Sequence, residues 1–131
     1  MTNWIIPCNV KYYDVYGAFE NLKVLDWKQS NPNVEVGDIA YIYVGAPISA
    51  IVFKCLVTKV NLNKIEIDDS KYVIKGDNYL TAPAHMELKL LKQYPEDLLT
   101  FDVLKEHSVK GKIMGARRMN PETEEFINSL E

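Results

Sequence analysis

The segment from Gly37 to Val60 constrains this chain more than any other. Gly37-Asp38 forms a turn pair and launches Ile39-Ala40-Tyr41-Ile42-Tyr43-Val44. That run is made of the β-branched and aromatic side chains that fit a pleated surface. Gly45-Ala46-Pro47 breaks it, and Ile51 to Val60 reads as a second long strand. In that strand Ile51, Phe53, Cys55 and Val57 recur at period two on one face, with Lys54 and Thr58 in the other set. The spacing predicts an antiparallel, hairpin-like pair at the centre of a sheet, with any helices packed outside it.

The flanking sequence supplies those helices and more strands. Trp4-Ile5-Ile6-Pro7 reads as a short first strand whose ladder ends near the proline. Asp14 caps a helix with Val15, Phe19 and Leu22 on one face, slightly weakened by Gly17. Val24 to Trp27 is a brief extended piece, and 29–33 is a loop by composition. Lys64 to Asp69 and Tyr72 to Ile74 are strand candidates around an Asp-Asp-Ser turn, and Gly76-Asp77-Asn78 is a further turn. Met86, Leu88 and Leu90 alternate with Glu87 and Lys89 in another strand. Thr100 caps a short helix bearing Phe101 and Leu104, which runs into a basic loop from His107 to Met119. Asn120 caps the last helix, with Pro121 at its first position and Phe126, Ile127 and Leu130 as its apolar stripe. The order predicts an α+β domain over 1–131: a small curved antiparallel sheet or barrel with flanking short helices.

Composition narrows the class. At 131 residues, 47% hydrophobic and 25% charged, the chain has the profile of one globular domain. Its net charge of −3 argues against a protein that coats DNA non-specifically. The charge is uneven, however. From Lys105 to Arg118 five cations face only Glu106, about +4, which leaves about −7 on the rest. Cys8 and Cys55 lie in apolar strand-like runs and read as buried free thiols of a reduced compartment. No basic leader precedes the first strand, and no apolar run reaches the ~20 residues of a membrane-spanning helix. A soluble, cytoplasmic protein is expected. The closing Leu130-Glu131 is compatible with a vector remnant, and the chain with a module of a longer protein.

Catalytic signatures are weak. A nucleophilic Cys–His site or a zinc site would have to draw on Cys8, Cys55, His85 and His107, which show no ligand spacing. Asp68 and Asp69 are neighbours that point to opposite faces of a strand, so they suit a turn better than a shared proton. Gly111 and Gly115 lack the spacing of a phosphate loop. The sequence predicts no catalytic residue, no cofactor and no metal.

Binding is the better reading. Trp27-Lys28-Gln29-Ser30-Asn31 sets a tryptophan beside a cation and three hydrogen-bonding side chains. A core-filling Trp27 accounts for part of this pattern. A pocket accounts for all of it, with the indole stacking on a base and Gln29, Ser30 and Asn31 reading its edge. Tyr41, Tyr43, Tyr12 and Tyr13 are core residues or further aromatic walls. Lys110, Lys112, Arg117 and Arg118, with Gly115 allowing close approach, form a candidate phosphate-backbone clamp.

These blocks carry a family resemblance. Trp4-Ile5-Ile6-Pro7-Cys8-Asn9, then a helix, then Asp26-Trp27-Lys28-Gln29-Ser30-Asn31, then Val36-Gly37-Asp38 and its strand resemble an EVE domain. The later order also fits: the Met86 strand, a helix led by Leu99-Thr100-Phe101, a Gly-Arg loop at 114–118 and a helix opened by Asn120-Pro121-Glu122. The resemblance implies the PUA-like group that includes YTH and ASCH domains. It implies a reader of a methylated or hydroxymethylated base in DNA or RNA, flipped into an aromatic pocket. Trp27 would be the cage residue, with Pro7, Cys8 and Asn9 lining the same pocket. The second and third cage tryptophans of YTH domains have no counterpart, so Tyr43 or Phe53 would serve. A fused or operon-encoded nuclease is the implied partner. A general RNA-binding PUA-like module, a protein-interaction adaptor and a nucleotide-acting enzyme are the rival readings.

Overall fold

The structure is a computed structural model that describes residues 1–63, 70–74 and 84–131. The expected strand at 64–69 and the turn at 76–78 lie outside the described residues. Among the described residues six strands form one sheet: β1 (Asn3–Cys8), β2 (Val24–Lys28), β3 (Ile39–Val44), β4 (Ala50–Leu62), β5 (His85–Gln93) and β6 (Arg117–Arg118). Their order is β2-β5-β4-β3-β1-β6. Three helices flank them: α1 (Val15–Asn21), α2 (Phe101–Glu106) and α3 (Pro121–Ser129).

The central pair forms as expected: β3 runs antiparallel to β4. The sheet is mixed rather than wholly antiparallel, because β1 lies parallel to β3, with Trp4 opposite Ala40 and Cys8 opposite Val44. The β1 ladder also passes through Pro7 instead of ending there. β6 covers the outer side of β1 only at Trp4 and Ile5, so Pro7 lies where that side has no ladder to interrupt.

β3 is buried along its whole length, which is why its sequence is almost uninterruptedly apolar. Ala40, Ile42 and Val44 face the first core, with Trp4, Ile6 and Cys8 of β1 and Val15, Ala18 and Phe19 of α1. Ile39, Tyr41 and Tyr43 face the second core, with Ile5, Leu104 of α2 and Ile127 of α3. The sheet is thus a middle layer with α1 on one face and α2 and α3 on the other.

The expected single face of β4 is split. The register with β3 shifts between Ile42, opposite Phe53, and Tyr43, opposite Ile51, so Val52 is an extra residue. Such a bulge switches the side-chain parity of a strand. Phe53, Cys55 and Val57 join the first core, while Ile51 joins the second.

Smaller differences have local causes. Tyr72 to Ile74 is no strand: Ser70–Tyr72 forms a 3-10 turn, and Val73 makes a single bridge to Tyr13. Arg117-Arg118 is a short strand on β1 rather than free loop. Asn120 holds the N-cap position of α3 without a side-chain cap bond, and its Nδ2 donates to the Ser108 carbonyl. Asp14 and Thr100 cap α1 and α2 as expected, accepting from Gly17 N at 3.0 Å and Val103 N at 3.3 Å.

One junction ties the two most distinctive sequence blocks together. Gly37 takes φ +96°, a left-handed conformation that favours glycine, and delivers Asp38 to the start of β3. The buried Asp38 carboxylate accepts from Trp4 Nε1 at 2.9 Å, Thr2 N at 2.9 Å and Glu35 N at 2.9 Å. Burial alone would push this carboxyl upward, but the three hydrogen bonds and the nearby N-terminal charge carry it below its ordinary value.

Candidate nucleic-acid interface

The sequence places its binding residues at the ends of β1 and β2, and the structure connects those ends. Beyond Cys8 the chain turns at Asn9, whose carbonyl accepts from Tyr12 N at 3.0 Å and Tyr13 N at 3.2 Å. The Asn9 side chain accepts from Lys11 N at 2.9 Å and stabilises the same turn. The turn delivers Tyr13 against Trp27 of β2, with ring centroids 5.8 Å apart and planes at 77°. This edge-to-face corner is a favoured aromatic geometry. Trp27 is half-buried on the rim of the first core, and β2 is an edge strand of the sheet. Tyr12, next to the corner, is 48% exposed.

The residues expected around Trp27 do not all gather there. Trp27 and Cys8 both face the first core. Successive strand side chains alternate, so Lys28 and Pro7 leave from the other face. Tyr43 is a clear correction to the expected pocket. It packs in the second core, edge-on to Phe101 at 6.3 Å, with the sheet between it and Trp27. Phe53 is fully buried in the first core against Phe19, 4.9 Å between centroids, so it is packing rather than an open wall.

Gln29 is a structural latch. It is 7% exposed; its Nε2 donates to Asn61 Oδ1 at 3.1 Å and Asn31 O at 3.3 Å, and its Oε1 accepts from Asn61 N at 2.8 Å. The amide oxygen and one amide hydrogen pin the 29–33 loop to β4, and the other hydrogen holds Asn31 within the loop. Asn31 Oδ1 accepts from Asn33 N at 2.9 Å, a local turn of the kind asparagine favours. Ser30 sits exposed on this loop. Of the tyrosines read as core residues or further aromatic walls, Tyr13 is the one whose ring lies against Trp27.

The basic segment lies at the other end of the sheet. β6 is the far edge from β2, five strand intervals away, about 24 Å along the sheet at ordinary spacing. Arg118 lies over the Trp4 ring at 5.5 Å from its centroid, a cation–π contact. Arg117 donates to the Lys110 carbonyl at 2.7 Å and so folds the segment onto itself. Lys110 and Lys112 are exposed. The clamp residues are together, but they are remote from Trp27.

The two thiols are buried and free. Burial pushes Cys8 up to about 12 and Cys55 upward as well, so neither supplies a thiolate at neutral pH. Among the described residues no group of three or more His, Cys, Asp and Glu side chains is placed to hold a metal ion. No helix among them is long and apolar enough to cross a membrane.

Neither a family model nor a curated protein matches the sequence. Solved structures do match over the full length. An ASCH protein from Zymomonas mobilis, solved as a tyrosine-to-phenylalanine mutant, is 12% identical over 99% of both chains, with a TM-score of 0.67. A protein from Pseudomonas putida is 15% identical over 98% of both chains, with a TM-score of 0.68. The DUF55 domain of human thymocyte nuclear protein 1 is 10% identical over 98% of both chains, with a TM-score of 0.65. At such identities the likeness defines the fold alone: the chain is an α+β domain with the architecture of these ASCH and DUF55 domains.

Proposed function

We propose that this PUA-like domain binds nucleic acid without chemistry of its own and holds one unstacked base in the corner between Trp27 and Tyr13. We further propose that the base is modified, methylated or hydroxymethylated, as the likeness of the Trp4 and Trp27 blocks to EVE domains implies. The observation that supports this most is the corner itself. The planes of Trp27, partly buried on an edge strand, and of Tyr13, in the turn before α1, meet at 77° beside the 29–33 loop. Stacking one base on such a face is worth about 1–3 kcal/mol, enough to offset the few kcal/mol that unstacking costs. Ser30 and Asn31 are then the side chains available to its edge, since Gln29 is committed to β4.

That commitment favours a second reading, an RNA-binding PUA-like module with no preference for modification. Edge recognition by few groups suits any stacked base, and the basic segment would hold the backbone. No described surface speaks for a nuclease partner, which rests on the resemblance alone.

The test is equilibrium binding of short DNA and RNA oligonucleotides carrying cytosine, 5-methylcytosine, 5-hydroxymethylcytosine, adenine or N6-methyladenine. The proposal expects one modified base to bind tightest and Trp27→Ala to lose about 1–3 kcal/mol. Equal binding of modified and plain bases, still dependent on Trp27, would establish the second reading. Binding unaffected by Trp27→Ala would remove the corner from the interface.

A further inference from the structure

The turn that brings Tyr13 to Trp27 is braced by a distant segment. Asp14 N donates to the Tyr72 carbonyl at 2.7 Å, Ile74 N donates to the Tyr12 carbonyl at 2.8 Å, and Tyr13 stands opposite Val73 in an antiparallel bridge. Residues 11–14 and 71–74 therefore form a short two-stranded ribbon outside the six-stranded sheet. Each strand brings a lysine followed by tyrosine: Lys11-Tyr12-Tyr13 on one, Lys71-Tyr72 on the other. The strands run in opposite directions. Lys11, two residues before Tyr13, and Lys71, two residues before Val73, thus lie at opposite ends and bracket the aromatic side chains.

The ribbon divides into support and surface. Tyr13 packs on Trp27, and Tyr72 is buried in the first core. Tyr12 and Ile74, opposite each other in that register, are 48% and 60% exposed, and Lys11 and Lys71 are exposed as well. The Lys71 ammonium lies 5.2 Å from the centre of the Tyr72 ring, which keeps it at the ribbon. Asp14, the only carboxylate of the ribbon's described residues, is committed to the α1 cap, where it accepts from Gly17 N at 3.0 Å. The surface is thus an exposed ring between two cations. It adjoins the base corner, whereas the arginines of β6 lie at the far edge of the sheet.

This combination suits one class of partner. Nucleic acid brings phosphates for the lysines and flat faces for the ring, and stacking on a ring tolerates any base. A duplex cannot use the ring without unstacking, because each of its base faces is covered by a neighbour; a single strand can.

We infer that this ribbon is a second contact for single-stranded nucleic acid: the nucleotide next to the one held at Trp27 stacks on Tyr12, with the flanking phosphates on Lys11 and Lys71. The inference rests on the base corner of the proposed function and adds to it the strandedness of the partner.

The experiment measures fluorescence anisotropy of labelled oligonucleotides with the full chain across a salt series. One probe is a single strand with 5-methylcytosine at its centre and thymidylates on both sides. A second replaces the flanking thymidylates by abasic residues, and a third is a hairpin duplex carrying the same 5-methylcytosine. Tyr12→Ala is expected to weaken the first probe about tenfold, the scale of one lost stack, and Tyr12→Phe to leave it unchanged. Abasic flanks are expected to weaken wild type by the same factor and Tyr12→Ala no further. Lys11→Ala with Lys71→Ala is expected to flatten the salt slope by about 0.7 for each lysine. Wild-type affinity in Tyr12→Ala, an equal loss on the duplex or an unchanged salt slope would overturn the inference. Trp27→Ala separates this from the reading beneath it. Affinity lost in Trp27→Ala but kept in Tyr12→Ala leaves the base corner without the ribbon, and the reverse pattern removes the corner and leaves the ribbon as the contact.

Discussion

The two tryptophans occupy opposite kinds of place. Trp4 is 1% exposed in the middle of a core, with its indole N–H on Asp38 and the Arg118 guanidinium over its ring. Trp27 is half-buried on an edge strand, at the rim of that core and at right angles to Tyr13. Every side of Trp4 is used by the fold. Trp27 retains indole surface that the fold does not use. One residue type thus serves stability inside the core and, in our account, recognition at the sheet's edge.

The largest effect that would break this comparison is on stability. Trp4→Ala is expected to cost about 3–5 kcal/mol in denaturant unfolding, because it opens a cavity in the first core. Trp27→Ala is expected to cost distinctly less, since the indole is only partly buried at the rim of that core. Equal losses would mean that Trp27 is a core residue too.

Asp38→Ala comes next. It strands the buried indole N–H of Trp4 and the part-buried amides of Thr2 and Glu35, and a buried donor left without a partner costs about 1–3 kcal/mol. The same group sets a pH dependence. Its folded carboxyl lies below the ordinary value, so its contribution is present above the unfolded pKa of about 3.9 and lost as pH falls through the folded value. Acid unfolding curves of wild type and Asp38→Asn are expected to converge below about pH 4, and parallel curves would show that Asp38 is not linked to the acid transition.

A smaller effect sharpens the Trp27 side. Gln29→Ala removes the latch to Asn61 and frees the 29–33 loop from β4. A loss of about 1–3 kcal/mol in stability is expected, with a weaker base preference as the loop loses its position. Unchanged stability would show that the latch is replaced by water. The smallest effect is at the far edge. Arg117→Ala with Arg118→Ala is expected to weaken modified and plain oligonucleotides alike and to flatten the salt slope by about one per arginine. An unchanged slope would leave these arginines as β1's edge strand and Trp4's cover.

Local chemistry made much of the fold legible. The apolar runs at 39–44 and 51–60, the Asp14 and Thr100 caps and the alternation at Met86, Leu88 and Leu90 each declare themselves within a few residues. Pairings between distant residues do not. The parallel partnership of β1 with β3 depends on Trp4 finding Asp38, 34 positions away. The Val52 bulge that moves Ile51 to the other core is invisible in an unbroken apolar run. At the candidate site, Trp27 was legible because a tryptophan beside polar residues in a predicted loop is out of place in a core. Its partner Tyr13, the locked state of Gln29 and the far side taken by Tyr43 all depend on sheet register.

The most direct test of the account is tryptophan fluorescence in the two single-tryptophan variants, Trp4→Phe and Trp27→Phe, titrated with the same panel of modified and plain oligonucleotides. The account predicts quenching by one modified base in Trp4→Phe, where Trp27 is the sole emitter, and none in Trp27→Phe. Quenching that persists in Trp27→Phe, or is absent from both variants at low salt and high concentration, would contradict the placement of a base at Trp27.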